Sequence, residues 1–294
     1  MMRRWLEGWD RYWFAPASAY PTAAFRALLG GYLALYFLTL APDVTLLFSD
    51  QGVQLPWLLP DYAPSPLVAW LVYAATVISM LSLCLGWQTR LATVLSLVGF
   101  LYHYYLALAV KHSTFERLII EWLLLLCFTD SGRVWSIDAR GQQEPAEPVV
   151  DAWLGRLLRF QVVMLYLGAG LWKAANPAWR SGELMYATLQ GMWSTDLGFA
   201  LVRAFPSQGA WIAISWFVIV GEVLLGVFFC VRRTYWLGML AGAAFHIGNV
   251  IFLSIPEFLV CIVPYVMFVD GARLQRWVAQ LCTRWPLTIG QSRA

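Results

Sequence analysis

Residues 210–231 read AWIAISWFVIVGEVLLGVFFCV, and the fold turns on how this stretch is understood. Apart from Glu222 it carries no charge. A helix that crosses a bilayer needs about 17–25 mostly apolar residues, and this run meets that requirement. Five more runs share its character: 23–41, 66–86, 91–110, 157–175 and 234–254. Two shorter ones, 117–129 and 257–270, qualify when their flanks are counted. The expectation is an all-α, polytopic transmembrane helical bundle with about eight spanning helices.

Composition supports the same reading. Hydrophobic residues make up 60% of the chain and charged residues 13%, about half the charge of a typical soluble domain. A soluble core could not bury that much apolar surface and keep a wettable exterior. The 17 Trp and 13 Tyr suit a protein whose amphipathic rings gather at membrane interfaces. A net charge of +3 from scattered basic residues argues against a nucleic-acid partner, which needs a clustered basic face. The five cysteines show neither CxxC nor metal-ligand spacing, so no metal site is expected.

Orientation follows from the Lys/Arg bias of the connections. With eight spans and the N-terminus inside, 15 of the 20 Lys and Arg residues fall on the inner side, counting Arg26 and Arg159, which snorkel from helix ends. Both termini are therefore expected in the cytoplasm. The divisions are an N-terminal arm over 1–22, a transmembrane domain over 23–270 and a C-terminal tail over 271–294. The opening MMRRWLEGWDRYWF lacks the apolar run of a signal peptide. Of the longer connections, 42–65 is expected to hold an interfacial segment, and 130–156 contains the GQQEPAEP stretch (141–148), expected as a flexible polar linker. The third, 176–209, is amphipathic enough for a helix lying on the membrane or over a cavity.

Ionisable residues within spans are costly, and by default they face a cavity or a partner. Glu121, Lys173, Glu222, His246, Glu257 and His103 are of this kind. In YLGAGLWK, Tyr166, Gly170 and Lys173 are spaced i, i+4, i+7 and share a helical face. Gly168, Ala169 and Gly170 permit close approach of a neighbour. In FHIGN, His246 and Asn249 share a face at i, i+3. The two patterns could line one outward-facing pocket. Plainer roles stand beside this one. Lys173 ends its helix, where a cation suits the dipole and can snorkel. His246 and Asn249 could simply bond across helices, and Glu222 could be a paired structural carboxylate. His103 and His112 could be packing or interface residues.

At these residues a family resemblance enters. The run LYLGAGLWKAANPAWRSGELM resembles the Y-x-x-A-G-x-x-K…W-x-x-G segment of the HTTM (horizontally transferred transmembrane) family, on Tyr166, Ala169, Gly170, Lys173, Trp179 and Gly182. DSGRVWSIDA is similar to its W-S-[VIL]-D turn, on Trp135 to Asp138. AFHIGNVIFLSIPEF is similar to its F-H-x-x-N…F-S-I segment, on His246 and Asn249. The three occur in the family's order and cover roughly residues 20–270.

This family includes the membrane domain of vitamin K-dependent gamma-carboxylase, and the resemblance aligns Lys173 with that enzyme's catalytic lysine. It implies a lysine base acting on reduced vitamin K or another quinol, with oxygen and carbon dioxide as further reactants. Such chemistry calls for a lysine kept neutral in a dry pocket. His246 is a second candidate catalytic residue; Tyr166, Gly170, Glu222, Asn249 and Trp179 are candidate pocket residues. His112 is the nearest counterpart of a further carboxylase histidine. The chain ends about 25 residues after its last span, without the carboxylase's long extramembrane region, so propeptide-directed carboxylation of proteins is not expected. The implied setting is the inner (plasma) membrane of a bacterium, with the lipid bilayer and a quinone or secreted peptide as partners. Two alternatives to a carboxylase- or epoxidase-like enzyme stay open: a non-enzymatic factor for peptide maturation or immunity, and a transporter. The absence of visible repeats counts against the transporter.

Overall fold

A computed structural model describes residues 2–52, 63–107, 114–142 and 147–284. Helices dominate it: α1 (Met2–Phe14), α2 (Ala19–Thr39), α3 (Val44–Phe48), α4 (Pro66–Leu85), α5 (Thr89–Leu106), α6 (Thr114–Cys127) and α7 (Trp153–Ala175) come first. After them come α8 (Pro177–Arg180), α9 (Glu183–Thr188), α10 (Asp196–Ala204), α11 (Gln208–Cys230), α12 (Tyr235–Leu253) and α13 (Gly271–Arg284). Two three-residue strands, β1 (Pro16–Ser18) and β2 (Val149–Asp151), pair antiparallel with Ala17 opposite Val150.

Among the described residues five helices are long and apolar enough to cross a membrane: Ala19–Thr39, Pro66–Leu85, Trp153–Ala175, Gln208–Cys230 and Arg232–Leu253. The remaining expected spans take other forms. The 91–110 run is helical as α5 to Leu106, and 108–113, with His112, lie outside the described residues. The 117–129 run forms the 14-residue α6. The 257–270 run is not an α-helix: Pro256–Phe268 is a 3-10 helix of 13 residues with Pro264 inside it. Prolines lack the N–H an α-helix requires. At about 2.0 Å rise per residue its 13 residues extend about 26 Å, close to the hydrocarbon thickness of a bilayer.

The chain divides into two compact units, Met1–Gly155 with Val269–Ala294, and Arg156–Phe268. In the first, α2, α4, α5 and α6 pack in sequence, and α13 lies on α2. Tyr73 Oη donates to the Phe37 carbonyl at 2.6 Å, tying α4 to α2, and the Ser79 and Ser96 hydroxyls meet at 3.1 Å between α4 and α5. The 42–65 connection contains α3, whose Val44, Leu47 and Phe48 are buried; residues 53–62 lie outside the described ones.

The 130–156 connection is organised ahead of its GQQEPAEP stretch. The W-S-I-D turn within it closes the ends of α4 and α5 and holds a side chain of α2. Asp138 accepts from Gln88 N at 2.8 Å, Thr89 N at 2.7 Å and Thr89 Oγ1 at 2.7 Å, capping α5 from a distant point in the chain. Ile137 N and Asp138 N donate to the carbonyls of Leu85 and Gly86 at the end of α4. The Trp135 carbonyl accepts from Arg26 Nη2 at 2.6 Å. Arg26 therefore does not snorkel: it is fully buried in α2, because a backbone acceptor 109 residues away reaches it. Gly86 holds φ +67°, and a Cβ there would lie 1.7 Å from Arg26 Nη1, so only glycine fits this corner. Burial disfavours the ionised Asp138, but the Thr89 and Gln88 hydrogen bonds outweigh it, with help from the Arg26 charge, and hold the carboxyl below its ordinary range. Residues 143–146 of the GQQEPAEP stretch lie outside the described residues.

The second unit holds α7 from Arg156, α8 to α12 and the 3-10 helix. Its core joins Val162, Val163 and Tyr166 of α7, Leu225 and Phe229 of α11, and Tyr265 and Phe268 of the 3-10 helix. The 176–209 connection forms three short helices rather than one, two of them begun by side-chain caps where Asn176 accepts from Ala178 N and Thr195 from Gly198 N.

Candidate functional site

The site is built on the buried face of α7. Tyr166, Gly170 and Lys173 follow one another along it, and Tyr166 and Gly170 are buried. Gly170 does what its size allows: a Cβ there would come within 2.7 Å of the Val223 side chain and 3.0 Å of its backbone nitrogen, so α7 and α11 meet closely here. Gly168 has no such role, since a Cβ at that position would meet nothing within 4 Å.

That close approach brings Lys173 to Glu222, the one acidic residue of α11. Lys173 Nζ donates to Glu222 Oε1 as a direct ion pair. The side chains are 15% and 5% exposed, so the lysine turns into the bundle instead of snorkelling. The indole of Trp179, on α8, lies 4.9 Å from Nζ and adds a cation–π contact. Trp179 is itself fixed, because Ser215 Oγ of α11 donates to its carbonyl. Glu222 Oε2 is buried with no hydrogen-bond partner among the described residues.

Two turns back along α7 from Lys173, the Tyr166 hydroxyl meets His246 Nε2 of α12 at 2.7 Å and the Tyr265 hydroxyl of the 3-10 helix. His246 is buried, and its Nδ1 also has no partner among the described residues. Whichever tautomer the ring adopts, one nitrogen is left over as a free donor or a free acceptor. Tyr166, Tyr265 and His246 thus form one buried hydrogen-bonded cluster, and Lys173 with Glu222 a buried ion pair further along α7, both inside the second unit.

The structure joins the YLGAGLWK and FHIGN segments through the Tyr166–His246 hydrogen bond. It does not bring in Asn249, which is half-buried and makes no side-chain hydrogen bond among the described residues. Tyr265 and Ser215 belong to the arrangement although the sequence did not mark them. A tyrosine beside Pro264 in a short apolar run looks like packing, and a serine in a span looks like a small residue. His103 lies in the first unit, where Phe37, Phe48, Tyr73 and Tyr102 surround it and the Gly99 carbonyl lies 2.7 Å from Nδ1. Glu121 is exposed on α6.

An unpaired buried polar atom costs about 1–3 kcal/mol, so Glu222 Oε2 and His246 Nδ1 mark places where a bound group with matching hydrogens or lone pairs would gain. The Lys173–Glu222 pair sets a proton donor, the ammonium, beside a proton acceptor, the carboxylate. The model of the HTTM domain matches residues 14–272 of this chain. No solved structure matches it.

Proposed function

The chain belongs to the HTTM domain family, and from that premise we propose that it is a membrane enzyme whose reaction starts with proton abstraction at Lys173. The observation that carries this reading is the Lys173–Glu222 pair, sunk between apolar helices with one carboxylate oxygen left unpaired. Glu222 orients the nitrogen and can take the ammonium's proton, which leaves a neutral amine able to accept the proton of a bound molecule. The free Oε2 suits a hydroxyl donor on a bound molecule, and a quinol, when bound, would supply such an acidic hydroxyl. Tyr166, on the same face of α7, links His246 to Tyr265, and Trp179 covers the amine. In this reading the bundle has eight spans, both termini in the cytoplasm, the Lys173 end of α7 outward, and the inner membrane of a bacterium as its setting.

The test is to reconstitute the full chain in liposomes, supply reduced quinones, and follow oxygen uptake and carbon dioxide incorporation. Losing a positioned base costs about 10²–10⁴ in rate, so Lys173→Ala is expected to lose at least the lower figure. Quinol-dependent activity unchanged in that variant would sink the proposal. Thiol labelling of Gln142→Cys from the inside and Asp196→Cys from the outside checks the orientation.

A second reading draws on the exposed Met192 and Trp193, with Phe205, in the 176–209 connection. They offer an apolar surface to a secreted peptide, as a maturation or immunity factor would need. A peptide that co-purifies equally with Lys173→Ala would favour this reading.

A further inference from the structure

A second feature lies in the first unit, at the end of the bundle where α5 begins and α6 stops. Two adjoining clefts of about 430 and 560 Å³ share Arg90, Thr129, Asp130 and Arg133 in their walls, a size suited to a small ligand. Asp151 completes the first, and Ser131 and Asp138 line the second.

Four charges here are unspent. No ion pair joins Arg90, Arg133, Asp130 or Asp151 to another charged group among the described residues. Arg133 is held in place by donating Nη1 to the Val149 carbonyl of β2 at 2.5 Å. Asp138 differs, since its carboxylate is occupied by the α5 N-terminus. Ser131 Oγ is buried with no partner among the described residues. Two free cations and two free anions around one opening would repel a plain anion at the aspartates and a plain cation at the arginines. They complement a ligand carrying both signs. The rim adds a second property: Phe14 and Phe128 are exposed beside the polar walls, with Trp153 next to them. A polar floor with an aromatic lip, at the end of membrane helices, fits an amphiphile entering head first.

We propose that this double cleft binds a phosphoethanolamine group, with Arg90, Arg133 and Ser131 on the phosphate and Asp130 and Asp151 on the primary ammonium. Guanidinium forks match phosphate oxygens, and a carboxylate accepts directly from an N–H-bearing ammonium. The group can arrive on a phospholipid or as a soluble phosphodiester.

The experiment uses the full chain in detergent, delipidated and then offered phosphatidylethanolamine or phosphatidylglycerol, with retained lipid counted by native mass spectrometry. Retention of phosphatidylethanolamine is expected to exceed that of phosphatidylglycerol about tenfold, the worth of one charge-assisted contact. Arg90→Gln, which breaks no contact within the protein, is expected to lower it about tenfold with an unchanged thermal midpoint, and Arg133→Lys by less. Asp130→Asn is expected to erase the preference between the two lipids. Equal retention of both lipids by the unaltered protein, or full retention by Arg90→Gln, overturns the proposal. Glycerophosphoethanolamine separates the sources: displacement of the lipid shows that the head group suffices, and lipid retained against it assigns the cleft to the phospholipid.

Discussion

Asp138 and Glu222 are both carboxylates fixed by distant parts of the chain, one in each compact unit, and they are used differently. Asp138 lies at the end of its helices and takes three hydrogen bonds from Gln88 and Thr89, two of them backbone donors with no other partner in α5. Glu222 sits midway along α11 and has one side-chain donor, Lys173, while its second oxygen is buried and free. The first closes a corner. The second leaves an acceptor open in a setting where an open acceptor is expensive, and that incompleteness is what points to a bound molecule. Arg26 shows that the contrast is one of degree: it too has spare nitrogens, Nε and Nη1, beneath the closed corner.

The contrast can be tested by removing its parts, and the largest effect belongs to the ion pair. Lys173→Ala leaves Glu222 buried without its cation and is expected to destabilise the protein by about 3 kcal/mol, while the double variant Lys173→Met with Glu222→Leu recovers most of that. Thermal unfolding in detergent reads both. If the single variant were neutral, the pair would be an exposed contact and not a buried one. Gly86→Ala comes next, at about 2 kcal/mol, since alanine must adopt a left-handed conformation and displace Arg26.

Asp138→Ala loses a helix cap, worth about 1 kcal/mol. This effect has a pH signature. The folded carboxyl lies below its unfolded value of about 3.9, so the cap is fully present above that pH and is lost as pH falls through the lower folded value. Stability curves of the unaltered protein and Asp138→Ala should therefore converge on acidification below about pH 4. Parallel curves would mean that Asp138 is not the titrating cap. Asn249→Ala is the smallest case, expected within about 0.5 kcal/mol, because the structure gives its amide no partner. A larger loss would place Asn249 in the polar cluster after all.

The sequence carried the membrane fold because length and apolarity are local properties, visible in 66–86 or 210–231 without knowing any neighbour. It also marked Lys173, Glu222 and His246, since an ionisable group in hydrocarbon is anomalous wherever it points. The pairing of those groups was not legible. It depends on the approach of α7 to α11 at Gly170, and no spacing within one segment encodes that. Arg26 was misread for a related reason: its position near a helix end suggests snorkelling, and only the Trp135 carbonyl, 109 residues away, explains its burial. Tyr265 escaped notice because it falls in a segment whose period is neither 3.6 nor 2.

That segment, Pro256–Phe268, has a consequence for how it can change. A 3-10 helix repeats every three residues, so side chains three apart stand in a straight row instead of a winding stripe. Ile262, Tyr265 and Phe268 form such a row, and all three belong to the same packed cluster. Losing or gaining three residues would slide the row along its axis by about 6 Å and keep its direction. Losing or gaining a single residue would swing the Tyr265 hydroxyl a third of a turn away from Tyr166. Length variation in this stretch is therefore expected to come in threes.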